Sequence, residues 1–263
     1  MYAFDYHRPT TLDEALSLLS GSDDPKLLAG GQTLLPALKQ RLAQPSDLID
    51  LRRIDALRGI TEEEGGVTIG AMTTHAEVAA SPAVSLAILA LANLAGHIGD
   101  PQVRNLGTLG GSICNADPAA DYPAALVALG AEVRTVDRAI PAGEFFTGMF
   151  ETALEDGEIV TAVHFPRPDR AAYAKFRNPA SRYAVVGVFV ARIGGEVRVA
   201  VTGAGPSVFR WTGAEAALAA DFSPAALDGL AVDASDLNDD LHARADYRAH
   251  LVGVMAKRAV AAA

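Results

Sequence analysis

The chain has 263 residues, half of them apolar, with 22 basic against 32 acidic side chains and a net charge of −10. That is enough for two domains or one large one with a real core, while the acidic balance argues against a phosphate-backbone partner, which needs a basic stripe. The single cysteine, Cys114, excludes an internal disulfide and a cysteine-ligated iron–sulfur cluster, both of which need more thiols.

The first ten residues hold Asp5, His7 and Arg8 and no apolar run, so no secretory leader is expected. Thr10 or Thr11 caps a predicted helix, with Glu14 placed to close a capping box on Thr11. Leu12, Ala15, Leu16 and Leu19 continue it at helical spacing. Lys26 to Ala29 reads as a strand, and Thr33 as the cap of a helix from Leu34 to Leu42 with Pro36 in its first turn. Leu48 to Leu51 is a strand, and Ile60 to Ala71 is a β-hairpin around an acidic turn. Thr73 or Thr74 caps a short helix carrying His75. Neither His75 nor His97 has a second histidine at i+4, so a satisfied or exposed histidine is favoured over a metal ligand.

Ala83 to Ala95 is nearly apolar but shorter than the about 20 residues of a bilayer span. It predicts a core helix. Pro118 to Leu129 is helical in pattern and Ala131 to Val136 is a strand. Phe145, Phe146 and Phe150 read as core. Gly157 to Pro166 is a strand ended by prolines, and Arg167 to Arg170 is a linker. Strands follow at Ala172–Phe176, Val185–Ile193 and Val197–Thr202, the last two joined by Gly194-Gly195. Gly203 to Pro206 reads as a plain turn. Helices are expected from Thr212, from Ser223, and from Tyr247 to the C-terminus. Cys114 reads as a small buried residue.

Two stretches carry the functional reading. Leu28-Ala29-Gly30-Gly31-Gln32-Thr33-Leu34 and Gly107-Thr108-Leu109-Gly110-Gly111-Ser112 each pair adjacent glycines with a nearby hydroxyl. Paired glycines let backbone N–H groups face an anion, and a helix starting just after adds its positive end. Either loop taken alone is equally compatible with a simple turn. The first lacks the G-x-G-x-x-G order of a nicotinamide Rossmann loop. No Gly-x-Ser-x-Gly elbow, His-Glu-x-x-His helix, P-loop or Cys-x-x-Cys pair is present, which suits a chain whose cofactor does the chemistry.

The two loops occur in order with Phe4-Asp5-Tyr6-His7-Arg8-Pro9, Ile69-Gly70-Ala71-Met72-Thr73-Thr74, Gln102-Val103-Arg104-Asn105 and Asp246-Tyr247-Arg248. This ordered set resembles the FAD-binding medium subunit of the molybdenum hydroxylases, the xanthine dehydrogenase and aerobic carbon monoxide dehydrogenase family, along essentially the whole chain. The resemblance implies an α+β fold. A two-lobed FAD-binding domain of the vanillyl-alcohol-oxidase (PCMH) type would span residues 1–168. A C-terminal α/β domain, a three-stranded antiparallel sheet on helices, would span 169–263.

By the same resemblance, Leu28, Ala29, Gly30, Gly31, Gln32, Thr33 and Leu34, with Thr108, Leu109, Gly110, Gly111 and Ser112, hold the pyrophosphate and nearby sugars of FAD. Asp121 belongs to the sugar-phosphate region, with Asp117 a turn residue. Ile98 and Val160 pack against the cofactor, and Arg177 and Tyr183 attend the isoalloxazine ring. Many members carry Asn at the position of Ser112, and often Lys at that of Arg177. A hydroxyl still donates to phosphate, but a guanidinium is a planar fork and not a point charge.

No catalytic or metal-ligating residue is expected on this chain. The implied partners are a small [2Fe–2S] subunit and a large molybdopterin subunit, in a cytoplasmic dimer of heterotrimers that can sit at the inner face of the membrane. Electrons would pass from the clusters through FAD to a quinone, NAD or oxygen. The lack of cysteines excludes the branch whose flavin subunit carries its own cluster. Two other readings remain: a self-sufficient FAD oxidase or dehydrogenase, and a scaffold subunit without FAD.

Overall fold

The computed structural model describes residues 1–263 and builds the chain on three principal sheets. The first sheet is parallel, with Asp47–Asp50 between Asp5–His7 and Pro25–Leu28. Parallel neighbours need crossovers, supplied by the helices Leu12–Gly21 and Leu34–Lys39. Thr11 accepts from the Glu14 N–H at 3.2 Å, but the Glu14 carboxylate reaches the Thr10 N–H at 2.7 Å, so the expected box is displaced by one residue. Thr33 makes no side-chain capping bond. Its helix stops at Lys39 and not Leu42, because Arg41 adopts φ 61°, outside the helical region.

The second sheet is antiparallel, in the order Ile60–Glu63, Gly66–Gly70, Val160–Pro166, Glu132–Thr135, Ala139–Pro141. The apolar run beside it is not one helix. It breaks at Ile88 (φ −148°, ψ 77°) into Pro82–Ala87 and Leu89–Gly96. The pieces meet different surroundings: the first buries only Val84 and Ala87, whereas the second buries Ala90, Leu91, Ala92, Leu94 and Ala95. The expected helix from Pro118 starts at Tyr122, after a turn. Every residue of Tyr122–Leu129 is buried, as befits a helix apolar all round. It packs on Val160–Pro166 and, on its other side, on the third sheet.

The third sheet has four antiparallel strands and not three: Arg170–Arg177, Ala184–Ile193, Glu196–Thr202 and a two-residue edge, Phe209–Arg210. Gly194 and Gly195 close its hairpin with φ of 55° and 88°, which only glycine adopts at no steric cost. Successive residues point to opposite faces. Phe189, Ala191 and Ala200 join the core around Tyr122–Leu129. Val186, Val188, Val190, Val199 and Val201 face a second core with the helices Thr212–Ala220 and Ala245–Ala262. Burial on both faces explains the unbroken apolar run of Ala184–Ile193.

Two further expectations change. The stretch from Ser223 forms only one 3₁₀ turn, Pro224–Leu227. Phe145 is core and Phe146 half-buried, but Phe150 is 57% exposed in a left-handed turn. The motif residue Arg248 is buried. Its guanidinium donates to the Val185 carbonyl at 2.7 Å, to the Gly203 carbonyl at 2.8 Å, and through two 2.8 Å bonds to Asp240. No helix is long and apolar enough to cross a membrane.

Phe189 tests the central packing, since its side chain is fully buried between sheet and helix. Phe189→Ala should lower unfolding free energy by about 3–5 kcal/mol in urea titration. A loss under about 1 kcal/mol would mean that the layer collapses around the gap.

Candidate functional site

The two glycine loops touch. A Cβ on Gly30 would lie 2.2 Å from the Leu106 carbonyl oxygen and 2.7 Å from Gly107 Cα. Backbone therefore meets backbone, and no side chain fits. Across the same junction a Cβ on Gly111 would lie 3.3 Å from that of Ala29. Gly110 is pressed against Ala71, 2.7 Å from its Cβ, which fixes the second loop on the second sheet. The junction forms one wall of a cleft of about 610 Å³, within the usual size of ligand pockets.

The loops are chemically unequal. The backbone N–H groups of Gly30, Gly31, Gln32, Thr33 and Leu34 have no acceptor within the chain, and all five residues line the cleft. Consecutive free donors make an anion-binding concavity. In the second loop the amides of residues 109–112 are occupied. Leu109 donates to Thr73 O at 3.0 Å, Gly110 to Ala71 O at 2.8 Å, Gly111 to Thr108 Oγ1 at 3.1 Å and Ser112 to Thr108 O at 3.0 Å. That loop offers the cleft bare backbone and the hydroxyl of Ser112.

Of the expected site residues, Ala29 to Leu34, Ile98, Thr108, Gly110 to Ser112, Asp121, Val160 and Tyr183 line the cleft. Leu28, Leu109 and Arg177 do not. Leu28 and Leu109 are buried in the packing. Arg177 is exposed at the end of its strand. The basic side chain at the cleft from this segment is Arg182, which takes φ 64° and donates to the Gly99 carbonyl at 3.4 Å. Met72, His75, Cys114 and Glu158 also line it, none of them expected as a cofactor contact. The signal for Met72 was its place in the Ile69–Thr74 motif.

Burial and pairing set the charges. His75 is 4% exposed and its Nδ1 has no partner. Burial, helped by the Arg104 charge, depresses it to about 4, so the ring is neutral. His97 is exposed and its Nδ1 lies 2.7 Å from the Asn93 carbonyl. Arg138 grips Glu158 through two 2.9 Å bonds and holds its carboxyl near 2. Cys114 opens onto the cleft and is not core, yet its surroundings push the thiol up to about 12. Tyr183 is 44% exposed, with Thr33 beside its phenol, whose pKa burial raises.

Asp121 is 4% exposed. It accepts from the Tyr173 hydroxyl at 2.5 Å and the Lys175 ammonium at 2.9 Å. Burial raises its pKa, and Lys175 and Tyr173 pull it back. Asp117 Oδ1 accepts from the Ala119 N–H at 2.9 Å, the expected turn contact. The free amides suit a diphosphate, and Ile98, Val160 and Tyr183 offer apolar surface to a flat ring. A dinucleotide of the FAD type fits this set.

The neutral His75 has a measurable consequence. It takes a proton near 6.5 when unfolded but only near 4 in the fold. The unfolded chain thus binds more protons between those values, and stability should fall as pH drops from 6.5 towards 4. His75→Gln should remove on the order of 2 kcal/mol of that fall. Denaturation across this range should show the difference, and parallel curves for the two proteins would overturn it.

The family model for the FAD binding domain in molybdopterin dehydrogenase matches residues 2–168. The carbon monoxide dehydrogenase medium chain of Hydrogenophaga pseudoflava is 38% identical, over 99% of this chain and 96% of that one. The nicotine 6-hydroxylase medium subunit of Paenarthrobacter nicotinovorans is also 38% identical, over 98% and 96%. Among solved structures, carbon monoxide dehydrogenase from Hydrogenophaga pseudoflava superposes with a TM-score of 0.89 at 38% identity, covering 100% of this chain and 97% of that one. Quinoline 2-oxidoreductase from Pseudomonas putida 86 gives 0.87 at 30% identity, covering 100% and 97%. The chain belongs to the FAD-binding medium subunits of the molybdenum hydroxylases, flavoprotein components of oxidoreductases of the carbon monoxide and xanthine dehydrogenase type.

Proposed function

We propose that this chain is the electron outlet of a molybdenum hydroxylase, taking electrons from the [2Fe–2S] clusters of a small partner subunit and delivering them to an external acceptor such as a quinone, NAD or oxygen. The observation that carries this reading is the run of five unpaired amides, Gly30 to Leu34, in the cleft where the two glycine loops meet. Bound FAD supplies the junction between one-electron clusters and a two-electron acceptor. The amides of residues 30–34 hold its diphosphate, with the Ser112 hydroxyl adding a donor. Asp121 keeps acceptor capacity for a sugar hydroxyl. Ile98, Val160 and Tyr183 enclose the ring, and Arg182 brings positive charge to the cleft.

Residues 1–168 form the FAD-binding unit and 169–263 the unit that covers it. The substrate is oxidised on a large molybdopterin subunit, and the assembly is a cytoplasmic dimer of heterotrimers. No acid–base role falls to this chain. Its contribution is to place and tune the cofactor.

Gly30→Ala should force the loops apart, because its Cβ meets backbone at 2.2 Å. FAD content after purification should fall at least about tenfold, since a displacement of this size disrupts site geometry. Unchanged flavin content would remove the loop junction from the reading. Affinity purification from the source cell should also bring down a cysteine-rich subunit with a [2Fe–2S] electron paramagnetic resonance signal. Recovery of the flavoprotein with no such partner would overturn the electron route.

A further inference from the structure

We propose that Lys175 and Tyr173 are positioning residues which, through Asp121, brace two turns of the cleft wall in the geometry that FAD needs. The turns are residues 97–99 and 117–121. Ile98, Gly99, Asp117, Ala120 and Asp121 from them line the cleft. Lys175 and Tyr173 do not line it; they lie behind, on the strand Arg170–Arg177.

The brace is built from both sides. The Lys175 ammonium is 6% exposed and donates to Asp121 at 2.9 Å and to the His97 carbonyl at 3.2 Å. One cation therefore ties the first turn to the second. Tyr173 adds its 2.5 Å bond to Asp121. Gly187, opposite Lys175 in the sheet, makes room for it: a Cβ there would lie 2.3 Å from the Tyr173 hydroxyl. The same turn is held by its backbone. The Thr202 hydroxyl donates to the Ala120 carbonyl at 2.6 Å, and the Gly203 N–H to the Pro118 carbonyl at 2.8 Å.

The layers are also held together by the apolar face around Phe189. Loss of the ion pair therefore leaves the fold assembled and removes the cation that joins the two turns, which keep their separate bonds, from Arg104 to the Ile98 and Gly99 carbonyls and from Thr202 and Gly203 to the second turn. Removing Lys175 strands a buried carboxylate, which then seeks water and pulls residues 117–121 with it. The first turn loses its link at the same time. A general scaffolding role would instead loosen the third sheet and its helices.

The experiment compares the full-length chain with Lys175→Met and Tyr173→Phe. In flavin-free protein, amide hydrogen exchange by mass spectrometry should rise at residues 97–99 and 117–121 in Lys175→Met. Residues 184–193 and 245–262 should stay protected. FAD dissociation constants, from quenching of flavin fluorescence, should rise at least about tenfold for Lys175→Met, and less for Tyr173→Phe, which keeps the ion pair. Unchanged exchange at both turns would overturn the brace. So would exchange rising throughout the chain, or looser turns with unaltered FAD affinity. The affinity arm rests on the FAD reading above, whereas the exchange arm does not. A wild-type chain that fails to bind FAD sinks that reading, and the exchange result still decides whether Lys175 holds the turns.

Discussion

The site depends on one contact: the backbone of Gly30 against the carbonyl of Leu106 and Cα of Gly107. The approach is too close for any side chain, so two loops far apart in sequence share one wall. Everything that makes the cleft follows from this. The first loop leaves its N–H groups at residues 30–34 without acceptors in the chain, while the second gives it steric support. The second spends its amides on Thr73, Ala71 and its own cap, and so becomes a rigid platform. One loop is ordered by packing and the other by hydrogen bonds.

The unpaired amides stand out because charge elsewhere in the interior is matched. Glu158 has Arg138, Arg248 has Asp240, Asp121 has Lys175 and Asp50 has Arg52. Buried polar groups are normally satisfied. Five consecutive free donors facing one cleft therefore mark a site, in a chain whose net charge of −10 repels anions in general. The positive surface for a diphosphate is local and made of backbone, which no count of Lys and Arg reveals.

Much of the fold was legible in the residues. Alternation and turn glycines located the hairpin at Gly194-Gly195 and the strands around it, and Thr74 sat where a capping box needs it. The misjudged elements share a cause: tertiary surroundings overrode local pattern. Thr33 sits in a loop held open beside the cleft and caps nothing. The run Ala83 to Ala95 gives no hint of its break, since Ile88 is as apolar as its neighbours. Phe150 was counted as core on composition alone. The loops of the site were readable because glycine spacing records a steric demand directly. Arg177 was named from the family resemblance; Arg182 lies beyond four turn residues, and only the fold shows that it is the one facing the cleft. Lys175 was invisible as a partner of Asp121, since the pair is 54 positions apart.

The third sheet is covered on both sides, by Tyr122–Leu129 and by the paired C-terminal helices. It is thus the filling of a sandwich and not a lid on a hinge. Swinging it away would wet Phe189 and bare a helix that has no polar side to show. A fragment lacking the third sheet would turn the wholly buried helix Tyr122–Leu129 towards water and become sticky.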